Sequence, residues 1–415
     1  MTHGQLYSVT EHHCRSCGSN KMETFLDLGT TPNANRLLTD TDLGEAELEF
    51  PLAVAFCPDC GLVQITETIH AEILFQDAYP YYSSFSPALL KHSRENVLDL
   101  ISRRSLGPTS LVVELASNDG YLLKNYVEAK IPVLGIDPAS GPAAEAEKGG
   151  VPTRCAFFTR EYAETLRAEG IRADVIHANN VLAHVADTNG FVAAIARLLK
   201  DDGVAVIEVP YLWHLTERCE FDTIYHEHLC YFSATALDRL FRRHGLYLND
   251  VKEVAIHGGS LRLYVELRDR RGKAVEDLLA MEARRGITSP EYFRGFSAKV
   301  DHLKRDLLHL LRELKAGGAS IAAYAAAAKG ATLINTVGIG RDLIDFVVDR
   351  NVHKQGKYMP GKHLPIRPPE ALVKARPDYV LLLAWNFADE IIEQQHEYRT
   401  LGGKFIIPVP TPHIV

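Results

Sequence analysis

The sequence predicts an α/β protein of three units: a small cysteine-bearing one and two built on parallel sheets. Three observations lead there. Two C-x-x-C pairs stand near the N-terminus. From about residue 90, short apolar runs alternate with helical stretches. A second alternation of the same kind begins near residue 320, after a long charged helical segment. The units divide at 1–75, 76–285 and 286–415, in keeping with the two or three domains that 415 residues suggest.

The first unit rests on CRSC at Cys14 to Cys17 and CPDC at Cys57 to Cys60, each closing on a glycine, Gly18 or Gly61. Two residues between thiolates let both reach one ion from a tight knuckle, and glycine permits the left-handed backbone that turns the chain back. Two such knuckles make a tetrahedral Cys₄ zinc site, closed and therefore structural. The insert between them is longer than in a short zinc ribbon, so it forms a subdomain of its own. A redox dithiol is the competing reading; His12 and His13 are taken as bystanders.

The second unit rests on LVVELAS (111–117), PVLGIDP (132–138), ADVIHANN (173–180) and VAVIEVP (204–210), with helix between them, notably at 190–200. Such alternation predicts a parallel sheet wound with helices on both faces, whose ligands lie beyond the carboxyl ends of the strands. The first strand runs into ELASNDGYLL. This is not the G-x-G-x-x-G of a dinucleotide site, which argues against a dehydrogenase. Acids such as Glu114 and Asp119 would repel a pyrophosphate and suit a cation. Asp137, ending the second strand, stands where a carboxylate grips ribose hydroxyls. An adenosine joined to a positively charged amino acid meets both conditions, so S-adenosylmethionine is the expected cofactor. Its candidate residues are Glu114, Asn118, Asp119, Gly120, Asp137, Pro138 and Asn180. The competing reading has Asp119 capping a helix and Asp137 merely ending a strand.

After the strand at 204–210 comes FDTIYHEHLCYFS (221–233), then a helix with Ser233 as N-cap and Gly245 as its stop. The HEH stretch therefore falls in a loop on the ligand edge of the sheet. His226 and His228 offer only two ligands to a metal. A solvated loop is the plain alternative. Acid/base chemistry is the favoured reading, because histidine titrates near neutral pH and an adjacent carboxylate can fix its tautomer. Tyr225 can donate to a developing oxyanion, and His184 in NNVLAHVAD falls on the same edge. Two further strands, near 247–257 and 260–268, join through HGGS at His257 to Ser260 as a hairpin.

Residues 290–317 make an amphipathic connecting helix with Leu303, Leu307, Leu310, Leu311 and Leu314 on one face. The third unit follows: SIAAYAAAAKGATLIN as strand, turn and helix, with later strands in DFVVDR, DYVLLLAW and KFIIPVP. Small residues at 325–328 would let an anion approach the helix start, and Lys329 adds charge for a diphosphate. The alternative is that the alanines only pack helix on strand. The polar loop 351–372 is expected to cover part of this site.

The motif string C-x-x-C…C-x-x-C, DAYPYYSSFS, ELASNDG, NNVLAH, FDTIYHEHLCYFS, HGGSLR and YAAAAKGATLIN, in this order and over nearly the whole chain, resembles the nucleotide-sugar C-methyltransferases that make branched deoxysugars for antibiotics. The resemblance implies a zinc-binding N-terminal domain and a class I methyltransferase domain with a Rossmann-like sheet. A second Rossmann-like α/β domain would help hold the substrate. It further implies a dTDP-linked 4-keto-deoxysugar substrate. A base takes the proton alpha to the ketone, and the enolate carbon attacks the sulfonium methyl, at C3′ or alternatively C5′. His228 matches the base, with Glu227 and Tyr225 beside it and His184 and Tyr79 at the other active-site positions. Lys329, Asn335, His257 and Asn386 become the substrate-binding candidates, and His226 has no task.

Composition is that of ordinary globular protein, 46% hydrophobic and 24% charged, with a net charge of −8 and no basic block. This disfavours a zinc-ribbon nucleic-acid methyltransferase. The intact base and cofactor candidates disfavour a non-catalytic binder. The absence of a signal-peptide pattern and of a long apolar run, with seven cysteines, points to a cytoplasmic protein without a membrane partner. A monomer is expected.

Overall fold

The computed structural model describes residues 7–74 and 82–415, without the side chains of Ala71, Glu72 and His257. Tyr79 therefore lies outside the described residues.

The N-terminal unit is an antiparallel sheet of β1 (Glu23–Pro32), β2 (Glu49–Phe56) and β3 (Val63–Ile65). Alternation places Phe50, Leu52 and Val54 of β2 inside. The knuckles stand beside this sheet. Cys14–Cys17 precedes β1, and Cys57–Cys60 forms the turn between β2 and β3.

The central unit opens with α1 (Pro87–Arg104), capped by the Ser86 hydroxyl, which accepts from the Leu89 amide. Its strands are β4 (Val112–Leu115), β5 (Val133–Asp137), β6 (Thr153–Cys155), β7 (Ala173–Asn179) and, after α2 (Thr188–Leu198), β8 (Leu199–Pro210). Beyond the HEH loop come β9 (Cys230–Tyr231), α3 (Ala234–Arg243), β10 (Tyr247–Val254) and β11 (Ser260–Glu266). The seven-stranded sheet has the order β10-β11-β8-β7-β4-β5-β6, parallel from β8 to β6 and antiparallel at β8–β11 and β11–β10. This is the class I methyltransferase arrangement. Burial on both faces explains the near-continuous apolar runs. Val112, Val175 and Val206 pack under Val97 and Leu100 of α1. Val113, Ile176 and Ile207 belong to the opposite core with Phe191 and Ile195 of α2. The expected hairpin joins β10 and β11, with Gly258 and Gly259 at positive φ.

The strand β9 does not join the central sheet. Cys230 pairs with Gln64 and Tyr231 with Val63, so it becomes the fourth strand of the N-terminal sheet.

The third unit begins with α4 (Pro290–Ala316), whose Phe293 ring lies 4.7 Å from Phe25 of β1. The connecting helix thus packs on the N-terminal sheet. Then follow β12 (Ile321–Tyr324), α5 (Ala328–Val337), β13 (Val347–Val348), β14 (Ile366–Arg367), β15 (Tyr379–Leu382), β16 (Lys404–Ile407) and β17 (His413–Ile414), ordered β14-β13-β12-β15-β16-β17 and parallel except at β17. No helix among the described residues is long and apolar enough to cross a membrane.

Candidate active site and metal centre

The four knuckle cysteines meet. Their sulfurs lie within 4.8 Å of one another, with Cys14–Cys60 at 3.4 Å and Cys17–Cys57 at 3.5 Å. Gly18 and Gly61 adopt φ of 75° and 81°, and their amides donate to the Cys14 and Cys57 carbonyls at 2.8 Å, closing each knuckle. Four sulfurs around one point fit a tetrahedral ion with metal–sulfur bonds of about 2.3 Å. The donor set is all-sulfur and largely buried. The four cysteines are the ligands that would hold a structural zinc.

At the carboxyl ends of β4 and β7 the backbone turns sharply, with Ala116, Asn118, Gly120 and Asn180 at positive φ. At Gly120 a Cβ would meet Val151 and Ala146 at 2.9 and 3.3 Å, so glycine serves close packing as well as the turn. Asp137 accepts from the Asn118 and Ala139 amides, both at 2.8 Å, which ties the first two strand ends together. Asn118 and Asp119 accept from the Ser83 and Ser84 amides, docking the entry to α1 over this loop. Glu114 is fully buried, and neither of its oxygens finds a donor among the described residues. Burial, then repulsion from Asp137, Asp119 and Glu208, pushes its carboxyl well above the usual range. A cation would relieve that repulsion. The Oδ1 atoms of Asp119 and Asn180 are likewise buried without a partner among the described residues. This acceptor-rich, anionic cradle fits S-adenosylmethionine, which presents a sulfonium, an ammonium and ribose hydroxyls. No contact of Pro138 with this cradle emerges.

The HEH loop crosses in front of the same sheet edge. Nδ1–H of His228 donates to the Thr223 carbonyl at 2.8 Å, and the Tyr225 hydroxyl donates to Nε2 at 2.9 Å. The carbonyl can only accept, so Nδ1 carries the proton and Nε2 the lone pair. The sequence suggested that an adjacent carboxylate, Glu227, sets this tautomer. The structure corrects that: residues 225–228 form a turn, closed by the His228 amide on the Tyr225 carbonyl at 2.9 Å, and Glu227 turns to the N-terminal unit, where Asn35 Nδ2 donates to Oε1 at 2.6 Å. Burial raises the Glu227 carboxyl, and Asn35 opposes the shift. The His184 ring stands edge-on to His228 at 4.8 Å, and desolvation lowers its pKa to about 4. His226 is buried, donates to the Pro51 carbonyl at 3.0 Å and is likewise lowered to about 4 by desolvation. It binds the loop to the N-terminal unit.

Of the substrate-binding candidates, Lys329 and Asn386 come together. Lys329 Nζ donates to Asn386 Oδ1 at 2.8 Å and sits 3.8 Å over the Trp385 ring. Trp385 Nε1 in turn donates to Asp222 at 2.7 Å, one residue before Thr223. The third unit therefore reaches the start of the HEH loop. Asn335 stands elsewhere: its amide donates to the Ala331 and Pro360 carbonyls, joining α5 to loop 351–372. That loop also clasps the N-terminal unit, through the Leu38–Tyr358 bridge, Tyr358 to Asp40, and Gly361 and His363 to Glu47. Asn35, Thr223, Asp222 and Trp385 were not among the sequence candidates. Asp222 lay inside the quoted motif, but nothing in the linear order announces that Asn35 reaches Glu227.

Three family models match the chain: "Putative zinc binding domain" over 14–75, "Methyltransferase domain" over 89–251 and "C-methyltransferase C-terminal domain" over 255–410. C-methyltransferase NovU of Streptomyces niveus is 36% identical over 409 residues, 97% of this chain and 96% of its own length. A ubiquinone biosynthesis O-methyltransferase of Methylobacterium sp. (strain 4-46) is 29% identical over 29% of this chain and 50% of its own length. An S-adenosylmethionine-dependent methyltransferase structure from Clostridium acetobutylicum ATCC 824 aligns with a TM-score of 0.35 and 12% identity, over 43% of this chain and 92% of its own.

Proposed function

Since the chain belongs to the S-adenosylmethionine-dependent C-methyltransferases, we propose that it methylates a carbon alpha to the ketone of a dTDP-linked 4-keto-deoxysugar, C3′ foremost, in the assembly of an antibiotic's deoxysugar. The observation that carries this reading is the hydrogen-bonded His228. Its Nδ1–H is anchored on the Thr223 carbonyl, and Nε2 presents a lone pair beside the Tyr225 hydroxyl and the His184 ring.

With the ketosugar bound, His228 Nε2 takes the alpha proton. The C–H bond breaks, its electrons pass to the enolate, and the Thr223 carbonyl stabilises the imidazolium through Nδ1–H. The Tyr225 hydroxyl, turning from Nε2, donates to the enolate oxygen. His184, lowered to about 4 by desolvation, stays neutral at pH 7 and can donate one N–H without adding charge. S-adenosylmethionine, when bound in the cradle around Glu114, Asp119 and Asp137, supplies the electrophilic methyl that the enolate carbon accepts. Lys329 and Asn386 are assigned to the nucleotide diphosphate. Asn335 and His257 remain substrate-binding candidates from the family pattern, and Tyr79 a catalytic one.

Incubating the chain with S-adenosylmethionine and a panel of dTDP-4-ketosugars tests the reading. Mass analysis should find the gain of one methyl group, and NMR should locate it on a carbon next to the ketone. His228→Ala should bind the cofactor normally and lose about 10²- to 10⁴-fold in turnover. Normal turnover in that variant would remove the base assignment.

A further inference from the structure

The loop that carries His228 leaves the central sheet and ends as a strand of the zinc-binding unit. The Leu229 amide donates to the Ala183 carbonyl at 2.7 Å, beside His184, and the Leu229 carbonyl accepts from Ile65 at 3.1 Å. Residues 230–231 then pair with β3. Phe50 meets the His226 ring at 5.8 Å, and Pro51 accepts its N–H. The knuckle Cys57–Cys60 forms the turn between β2 and β3, so a zinc held there would brace the two strands that hold this loop.

Within that frame a hydrogen bond ends on Glu227, the residue before His228 in the chain and an active-site position in the family pattern. Asn35, in the connection between β1 and β2, donates to the Glu227 carboxylate at 2.6 Å. Its own backbone is set by a turn in which Asn33 Oδ1 accepts the Asn35 amide at 3.1 Å. Glu227 is 6% exposed, whereas Asn35 is open to solvent. A hydrogen bond whose donor water can reach contributes little to folding. The same bond fixes the direction of a buried carboxyl group and opposes the upward push that burial gives its pKa.

We propose that Asn35 is a positioning residue for catalysis. Its amide orients the Glu227 carboxylate beside the loop that carries His228, and the zinc-binding unit thereby supplies part of the active site. The inference rests on the reading of His228 as the base.

The test uses the full chain loaded with zinc. It measures deuterium wash-in from D₂O at the carbon alpha to the ketone of a dTDP-linked 4-keto-2,6-dideoxyhexose, without methyl donor. This isolates proton abstraction. Asn35→Leu should lower kcat for wash-in about 10- to 100-fold, the range for a hydrogen bond to a charged group, with KM unchanged. In a Glu227→Gln background the same change should have no further effect. Asn35→Gln, which keeps a donor, should recover part of the rate. Zinc content and S-adenosylmethionine affinity, read by elemental analysis and calorimetry, should stay at wild-type values. A normal rate in Asn35→Leu, or an equal loss in both backgrounds, would overturn the inference. Wash-in that survives His228→Ala would remove the base reading itself. An inactive His228→Ala beside a normal Asn35→Leu would remove the role of Asn35 alone.

Discussion

His226 makes the acid sensitivity of the active-site loop calculable. The ring is 1% exposed and donates to the Pro51 carbonyl at 3.0 Å, and desolvation lowers its pKa from 6.5 to about 4. The pull of Glu67 and the bonds to the Pro51 and Phe50 backbone oppose this but do not cancel it. In the unfolded chain the ring takes a proton near its ordinary pKa. In the folded chain it resists, so protons bind the unfolded state preferentially. Stability from this group is therefore intact above pH 6.5 and falls as the pH drops from 6.5 toward 4. A shift of about 2.5 units corresponds to about 3.4 kcal/mol at the low-pH plateau, and to about 2 kcal/mol at pH 5. In His226→Gln the side-chain amide can still donate to Pro51 but cannot titrate. Urea unfolding followed by tryptophan fluorescence, from pH 7.5 to 5, should show the variant losing about 2 kcal/mol less than the wild type. Carboxylate titration and zinc release occur in both proteins and cancel in the difference. Parallel curves, agreeing within about 0.5 kcal/mol at every pH, would show that His226 accepts a proton without unfolding and would refute the argument.

The other predictions concern the three ligand sites. Asp137→Ala removes the carboxylate that joins the ends of β4 and β5, and S-adenosylmethionine affinity measured by calorimetry should fall about 10- to 100-fold. Zinc-to-protein stoichiometry near one is expected for the wild type, and Cys60→Ser should lower it together with the melting temperature. Trp385→Phe keeps a ring beneath Lys329 but leaves the fully buried Asp222 without its indole donor, at a cost of about 1–3 kcal/mol in urea unfolding. An unchanged midpoint would show that the contact between the third unit and the HEH loop contributes nothing.

The zinc knuckles, the wound parallel sheet and the acidic cradle were all legible from the chain, because each depends on local spacing. C-x-x-C with a following glycine suits a knuckle by its local geometry, and the acids of the cradle sit on or just after strand ends. The HEH loop could likewise be placed on the ligand edge, since it follows an apolar run and precedes a capped helix. What its side chains do could not be read this way. The tautomer of His228 depends on the Thr223 carbonyl, not on the neighbouring carboxylate, which the turn at 225–228 leaves facing Asn35. Glu227 answers to Asn35, His226 to Pro51 and Asp222 to Trp385, each partner more than a hundred residues away. Local patterns record backbone preference and burial. Which distant surface meets a loop is decided when three units pack together, and that packing is where this chain's candidate site acquires its hydrogen bonds.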